Sequence, residues 1–129
     1  MSNSSILQSI QQIASDLANI EFLFSASELS DYGSDYTEDL FFPPTAVCFP
    51  ASTQEVSAIM QRCYAHNVPV FTRGAGTGLS GACLPVSAGL VLSTKKLNRI
   101  VDIDVKNLTV TTETGVVNGV LKAAVEAVG

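Results

Sequence analysis

Four glycines fall within nine residues in Arg73-Gly74-Ala75-Gly76-Thr77-Gly78-Leu79-Ser80-Gly81, directly behind the β-branched and aromatic run Val68 to Thr72. Glycine reaches backbone conformations that other residues avoid. A run of this kind therefore lets the chain curl with its N–H groups turned inward, an arrangement that holds anions. The side chains agree, since Arg73 brings fixed positive charge and Thr77 and Ser80 bring hydroxyl donors. A diphosphate is the natural occupant. A glycine-rich surface turn is the alternative reading at this level.

Spacing removes two better-known phosphate motifs. Gly76-x-Gly78-x-x-Gly81 reproduces the dinucleotide fingerprint, but that motif needs a helix to open at its glycines. Here Gly81 leads instead into Ala82-Cys83-Leu84-Pro85-Val86-Ser87-Ala88-Gly89, and Pro85 and Gly89 do not carry a helix. A P-loop would need Lys-Ser/Thr after the last glycine, and none follows. What is left is a strand-to-loop cradle with no helix behind it.

The loop is fed by a regular pattern. Ala46 to Phe49 is a short apolar run between prolines and reads as a buried strand. Ser52-Thr53-Gln54-Glu55 is a capping box, after which Val56, Ile59, Met60, Cys63 and Tyr64 form one apolar stripe, so a helix is predicted over about 53–66. Asn67 suits the left-handed position that ends such a helix, and a strand resumes at Val68. Strand, helix, strand with short links is a right-handed βαβ unit.

Upstream, Ile6, Ile10, Ile13 and Leu17 predict an amphipathic helix over about 5–19. Residues 21–44 lose periodicity and read as an irregular segment with one short helix near 26–30. Downstream, Gly89 to Ser93, Ile100 to Ile103 and Leu108 to Thr112 read as strands. Val117, Leu121, Ala124, Val125 and Val128 give a final helix.

Composition narrows the class. The chain has 129 residues, 47% of them hydrophobic, and a net charge of −5. That is one ordinary domain or part of one, and its sign argues against nucleic acid as the main partner. Residues 1–64 hold eight acids and one base, whereas the remainder holds six bases and four acids, so the second half is the better place for an anion. No apolar stretch is long enough to span a bilayer and no leader-like start is present, so a cytoplasmic protein is expected. Cys48, Cys63 and Cys83 form no C-x-x-C, and His66 is the single histidine. Neither a metal site nor a disulfide framework is expected. His66 reads as a helix-terminal residue, Asp102 and Asp104 as exposed strand-end residues, and the acidic 21–39 stretch as a solvated face.

Val68 to Gly81 resembles the pyrophosphate loop of the FAD-linked oxidase family, the family of vanillyl-alcohol oxidase and p-cresol methylhydroxylase. Within it the chain is most similar to the branch of bacterial glycolate oxidase and D-lactate dehydrogenases. The resemblance starts near Asp31-Tyr32-Gly33-Ser34-Asp35-Tyr36-Thr37 and is continuous from Pro44 to Gly129. It includes Pro50-x-Ser52-Thr53-x-Glu55-Val56 and Leu97-Asn98-Arg99-Ile100-Val101-Asp102-Ile103-Asp104.

The resemblance implies an α+β fold: the N-terminal lobe of the type-2 FAD-binding domain, a small mixed sheet with a βαβ unit and flanking helices. Residues 1–44 would be an N-terminal helix and irregular segment, and 45–129 the lobe itself, without the rest of the FAD domain or the substrate domain. It implies that Arg73, Gly74, Ala75, Gly76, Thr77, Gly78 and Ser80 hold the FAD diphosphate, with Gly115 and Val116 as a second contact. Ala75 stands where many relatives have glycine, which requires a negative φ there. Members that tether FAD through this loop use a histidine that is missing here, so non-covalent FAD is expected.

The implied reaction is oxidation of a small 2-hydroxyacid of the glycolate or D-lactate type by hydride transfer to the flavin. Its catalytic residues would lie outside this chain, with a partner chain as one possible source of the rest of the enzyme. A truncated non-catalytic module, and the FAD-carrying subunit of a molybdenum hydroxylase, are the alternatives.

Overall fold

The computed structural model describes residues 2–129. Helix α1 (Asn3–Asp16) starts at Ser2, whose hydroxyl accepts the Ser5 N–H, and buries Ile6, Ile10 and Ile13. That three- and four-residue spacing is one helix face. Strand β1 (Glu21–Leu23), helix α2 (Ala26–Leu29) and a single 3₁₀ turn (Ser30–Tyr32) follow. Next come β2 (Ala46–Phe49), α3 (Thr53–Ala65), β3 (Val70–Arg73) and β4 (Leu90–Ser93). The chain then makes a hairpin of β5 (Ile100–Asp104) and β6 (Thr109–Thr112), and α4 (Asn118–Glu126).

Capping chemistry sets α3 as the sequence predicts. The Ser52 hydroxyl accepts the Glu55 N–H at 3.2 Å, while the Glu55 carboxylate reaches back to the Ala51 N–H at 2.7 Å. Asn67 sits just beyond the helix at φ 53°, the left-handed geometry expected of it. The apolar stripe is narrower than its periodicity implies. Ile59 and Cys63 are buried, but Met60 and Tyr64 lie on the solvent edge, Tyr64 at 89% exposure. A helix resting on a sheet offers one line of side chains to it, and the flanking positions stay wet.

The main sheet has the order β1-β2-β4-β3, with β4 parallel to both β2 and β3 and β1 antiparallel to β2. Residues 21–23 are thus a strand rather than irregular chain, with Phe22 opposite Cys48. The two strands joined by α3 are not neighbours, because β4 lies between them. All four residues of β2 and all four of β4 are buried. That is the pattern of central parallel strands covered on both faces. One face packs against α1 and α3 through Ile10, Ile13, Ile59 and Cys63, and on the other Leu29 and Tyr32 pack with Val47, Phe49, Val91 and Phe71 of the sheet. Parallel neighbours need a crossover of a dozen residues or more, usually containing a helix. The one from β3 to β4 runs through residues 74–89 with none.

Candidate cofactor site

Arg73 closes β3 and is only 7% exposed. Its Nη1 lies 3.5 Å from the Cys83 sulfur and its Nη2 3.5 Å from the Asp31 carbonyl oxygen, both at the outer limit of a hydrogen bond. The guanidinium carbon stands 5.6 Å from the centre of the Tyr32 ring, which is itself held edge-on against Phe49. Burial raises the Tyr32 pKa, and Arg73 partly opposes that shift. Among the described residues no carboxylate forms an ion pair with Arg73. Asp35 lies near enough for Arg73 to help lower its pKa but forms no ion pair with it, so the buried cation is incompletely compensated and this position favours a further anion.

Beyond Arg73 the loop turns on two left-handed glycines, Gly76 at φ 72° and Gly81 at φ 67°. A side chain at Gly76 would also run into the Arg73 guanidinium. Ala75 is not among the residues of positive φ, so its methyl group is accommodated as the sequence requires. None of the backbone N–H groups of residues 74–80 donates a hydrogen bond within the described protein. Seven consecutive donors therefore remain available, six of them on exposed residues and that of Gly76 half-buried.

The loop is tied down from outside. Asp35 Oδ2 accepts the Gly81 N–H at 3.1 Å, Thr37 Oγ1 accepts the same N–H at 2.9 Å, and the Gly78 carbonyl accepts the Tyr36 N–H at 3.0 Å. The Thr37 N–H and side chain and the Gly81 N–H hold the Asp35 carboxyl below its ordinary value. The acidic stretch is thus a solvated face for Glu21, Glu28, Asp31, Glu38 and Asp39, but Asp35 is turned onto the glycine loop. Sequence reasoning missed this role. The signal available was the stretch Asp31 to Thr37, where the resemblance noted in the sequence begins.

The first part of the loop and the later turn face each other across a cleft of about 710 Å³. Arg73, Gly74 and Ala75 line it on one side, Ser93 to Lys95 its floor, and Thr114 to Asn118 the other side. Gly115 is in place because its N–H reaches the Leu97 carbonyl at 2.7 Å, and a side chain there would overlap the Thr94 carbonyl oxygen. The Thr94 hydroxyl is buried at this cleft without a hydrogen-bond partner. Gly74 has open space where a side chain would stand. Of the nine sequence-predicted residues, Arg73, Gly74, Ala75, Gly115 and Val116 share the cleft. Gly76, Thr77, Gly78 and Ser80 lie on the part of the loop outside it.

The remaining candidates fall elsewhere. His66 is the C-cap residue of α3, at the opposite end of β3 from the loop. Asp104 accepts the Asn107 N–H and side-chain amide and so ties the β5–β6 turn. No group of His, Cys, Asp and Glu side chains suited to a metal ion occurs among the described residues. The cysteines are free: Cys48 and Cys63 are buried, with the Cys63 thiol pushed up to about 11 by desolvation, and Cys83 is half-buried.

Residues 44–129 match the family model for the FAD binding domain. The chain belongs to this FAD-binding domain family. It is 42% identical over 98 residues to the glycolate oxidase subunit GlcD of Bacillus subtilis, covering 76% of this chain and 21% of that protein. It is 38% identical over 96 residues to a D-lactate dehydrogenase of Archaeoglobus fulgidus, covering 71% of this chain and 21% of the relative. The crystal structure of p-cresol methylhydroxylase with substrate bound superposes with a TM-score of 0.81 at 22% identity, covering 98% of this chain and 25% of that one. The fold is therefore that of the p-cresol methylhydroxylase type of FAD-binding domain, as expected. The chain spans about a quarter of the length of these proteins. No helix among the described residues is long and apolar enough to cross a membrane.

Proposed function

We propose that this chain supplies the diphosphate-binding lobe of an FAD-dependent 2-hydroxyacid dehydrogenase or oxidase of the glycolate or D-lactate type. Residues 45–129 form the lobe and residues 1–44 fold onto it. One observation carries the reading: seven unused backbone N–H groups over residues 74–80 adjoin a buried Arg73 that has no carboxylate partner. Both features favour a ligand with two adjacent negative charges.

The residues present fit FAD. The amides of 74–80 and the hydroxyls of Thr77 and Ser80 would meet the diphosphate, with Arg73 as the fixed charge. Gly74 leaves room for a close approach, and the orphaned Thr94 hydroxyl and the Gly115–Val116 turn would meet another part of the cofactor. When bound, FAD supplies the redox chemistry, accepting a hydride from the substrate carbon. The chain's own share is to bind and orient it. Non-covalent attachment is supported by the position of His66 at the far end of β3 from the loop. Three free thiols fit a cytoplasmic setting.

The test is a titration of the purified protein with FAD, followed by the change in flavin fluorescence. Weak binding at most is expected of the lobe alone, and saturable binding, with ADP competing, once the rest of the FAD domain is present, so the variants are compared in that longer protein. Arg73→Ala should weaken it at least tenfold, since a charge-assisted contact to an anion is lost, and Gly76→Val should abolish it. Binding unchanged in both variants would overturn the assignment.

A further inference from the structure

We propose that Asp35 and Thr37 are positioning residues for the cofactor loop, forming a clamp that holds residues 78–81 in their binding shape before any ligand arrives. This rests on the diphosphate reading above and adds to it a part of the chain that lies outside the matched family region, which begins at residue 44.

The clamp is built from three crossings between segments more than 40 residues apart. Gly81 gives its N–H to both Asp35 Oδ2 and Thr37 Oγ1, and Gly78 receives the Tyr36 N–H on its carbonyl. The second oxygen of Asp35 accepts the Thr37 N–H at 2.8 Å, so one carboxylate both shapes its own turn and grips the loop. Because a trans peptide points its C=O and N–H in opposite directions, drawing the Gly78 carbonyl toward Tyr36 turns the Leu79 N–H away from the clamp. Likewise the Gly81 N–H is consumed by the clamp and is not among the loop's free donors. The clamp thus selects which amides of the loop are available.

The loop needs such a device. It has four glycines, no helix behind it and no internal hydrogen bond from residues 74–80, so in isolation it would sample many shapes. Ordering those shapes at the moment of binding would weaken affinity, whereas ordering them beforehand does not. Residues 34–37 do this without lining the cleft, whereas Tyr32, just ahead of them, lines it beside Arg73 and places its ring 5.6 Å from the guanidinium.

The test compares substitutions that keep or remove each acceptor. Asp35→Asn retains the oxygen that shapes the local turn but can present a donor where Gly81 needs an acceptor. Thr37→Val removes a hydroxyl of the same volume, and Thr37→Ser restores it. Two readouts are taken: amide hydrogen exchange at Gly81, and the FAD dissociation constant. Asp35→Asn should speed exchange at Gly81 and weaken FAD about tenfold, with Thr37→Val about threefold. Thr37→Ser should bind as wild type, a rescue that a general loss of packing would not give. Should Asp35→Asn fail to fold, the Thr37→Val and Thr37→Ser pair decides. Faster exchange at Gly81 with unchanged FAD affinity would overturn the proposal and leave the contacts merely structural. The two readings fail differently. Wild-type affinity in Arg73→Ala overturns the diphosphate reading and the clamp with it, whereas wild-type affinity in the clamp variants beside an impaired Arg73→Ala overturns the clamp alone.

Discussion

The main sheet and the C-terminal hairpin with α4 both carry apolar residues at the spacing of their elements, yet among the described residues only the first has an interior. Among the described residues every buried one lies between Ile6 and Leu97, and β5, β6 and α4 contribute none. In the hairpin and the last helix, Val101, Val117 and Val120 are more than half exposed and Leu108 is 86% exposed. Both regions have the periodicity of their elements. Periodicity therefore reports which face of an element is apolar, but not whether anything covers it. For the cleft the contrast has a direct meaning: one wall stands on the rigid ends of β3 and β4, and the other, Thr114 to Asn118, stands on the thinly packed part.

The sharpest way to break this contrast is to truncate one apolar side chain in each region. Leu90→Ala, at the centre of the sheet, should cost about 2–5 kcal/mol in denaturant unfolding. Val120→Ala on α4 should stay within about 0.5 kcal/mol. Equal costs would mean that α4 is packed after all. Next in size is Gly115→Ala, where the added methyl group meets the Thr94 carbonyl. It should cost about 1–3 kcal/mol and detach the turn from the 94–97 segment, seen as faster amide exchange at Gly115 while β2 and β4 stay protected.

The smallest effect is acidic. Asp35 on the sheet side and Glu113 on the hairpin side both have pKa values held below their ordinary 3.8 and 4.5, Asp35 mainly by the Thr37 N–H and Glu113 by the Arg99 guanidinium. A carboxylate with a depressed folded pKa stabilises fully above its ordinary value, and that contribution fades as pH falls through the lower folded value. Amide shifts of Gly81 and Arg99 should therefore hold steady down to about pH 5 and move only in stronger acid. Asp35→Asn should remove the first transition and Glu113→Gln the second. If either amide moves near neutral pH, its carboxylate is not the partner described.

Much of this was legible in the residues. The capping box, the three-four spacing of α1 and α3, the runs of β2, β4 and β6 and the glycine loop each announce a local conformation through local chemistry. What stayed hidden was non-local. Strand β1 has three residues, too few to show an alternation, and exists because Phe22 finds Cys48 across the sheet. The placing of β4 between β2 and β3 leaves no mark in any one segment. Asp35 looked like one of six scattered acids because its role depends on Gly81, 46 residues away. On the candidate site, the unused amides and the left-handed glycines follow from composition. The burial of Arg73 and the sharing of one cleft by residues 73–75 and 114–118 required the fold.

The sheet order also sets when the lobe can come into being during synthesis. With β2, α3 and β3 already made, β2 can pair with β1, but β2 and β3 belong one position apart and have no ladder between them. Only when Leu90 to Ser93 emerges can all three strands bond at once, so the glycine loop is the last link the ribosome must finish before the sheet can close. Up to that point α1 and β1 are the only cover that β2 and α3 have, and Leu90 and Leu92 complete the core they share.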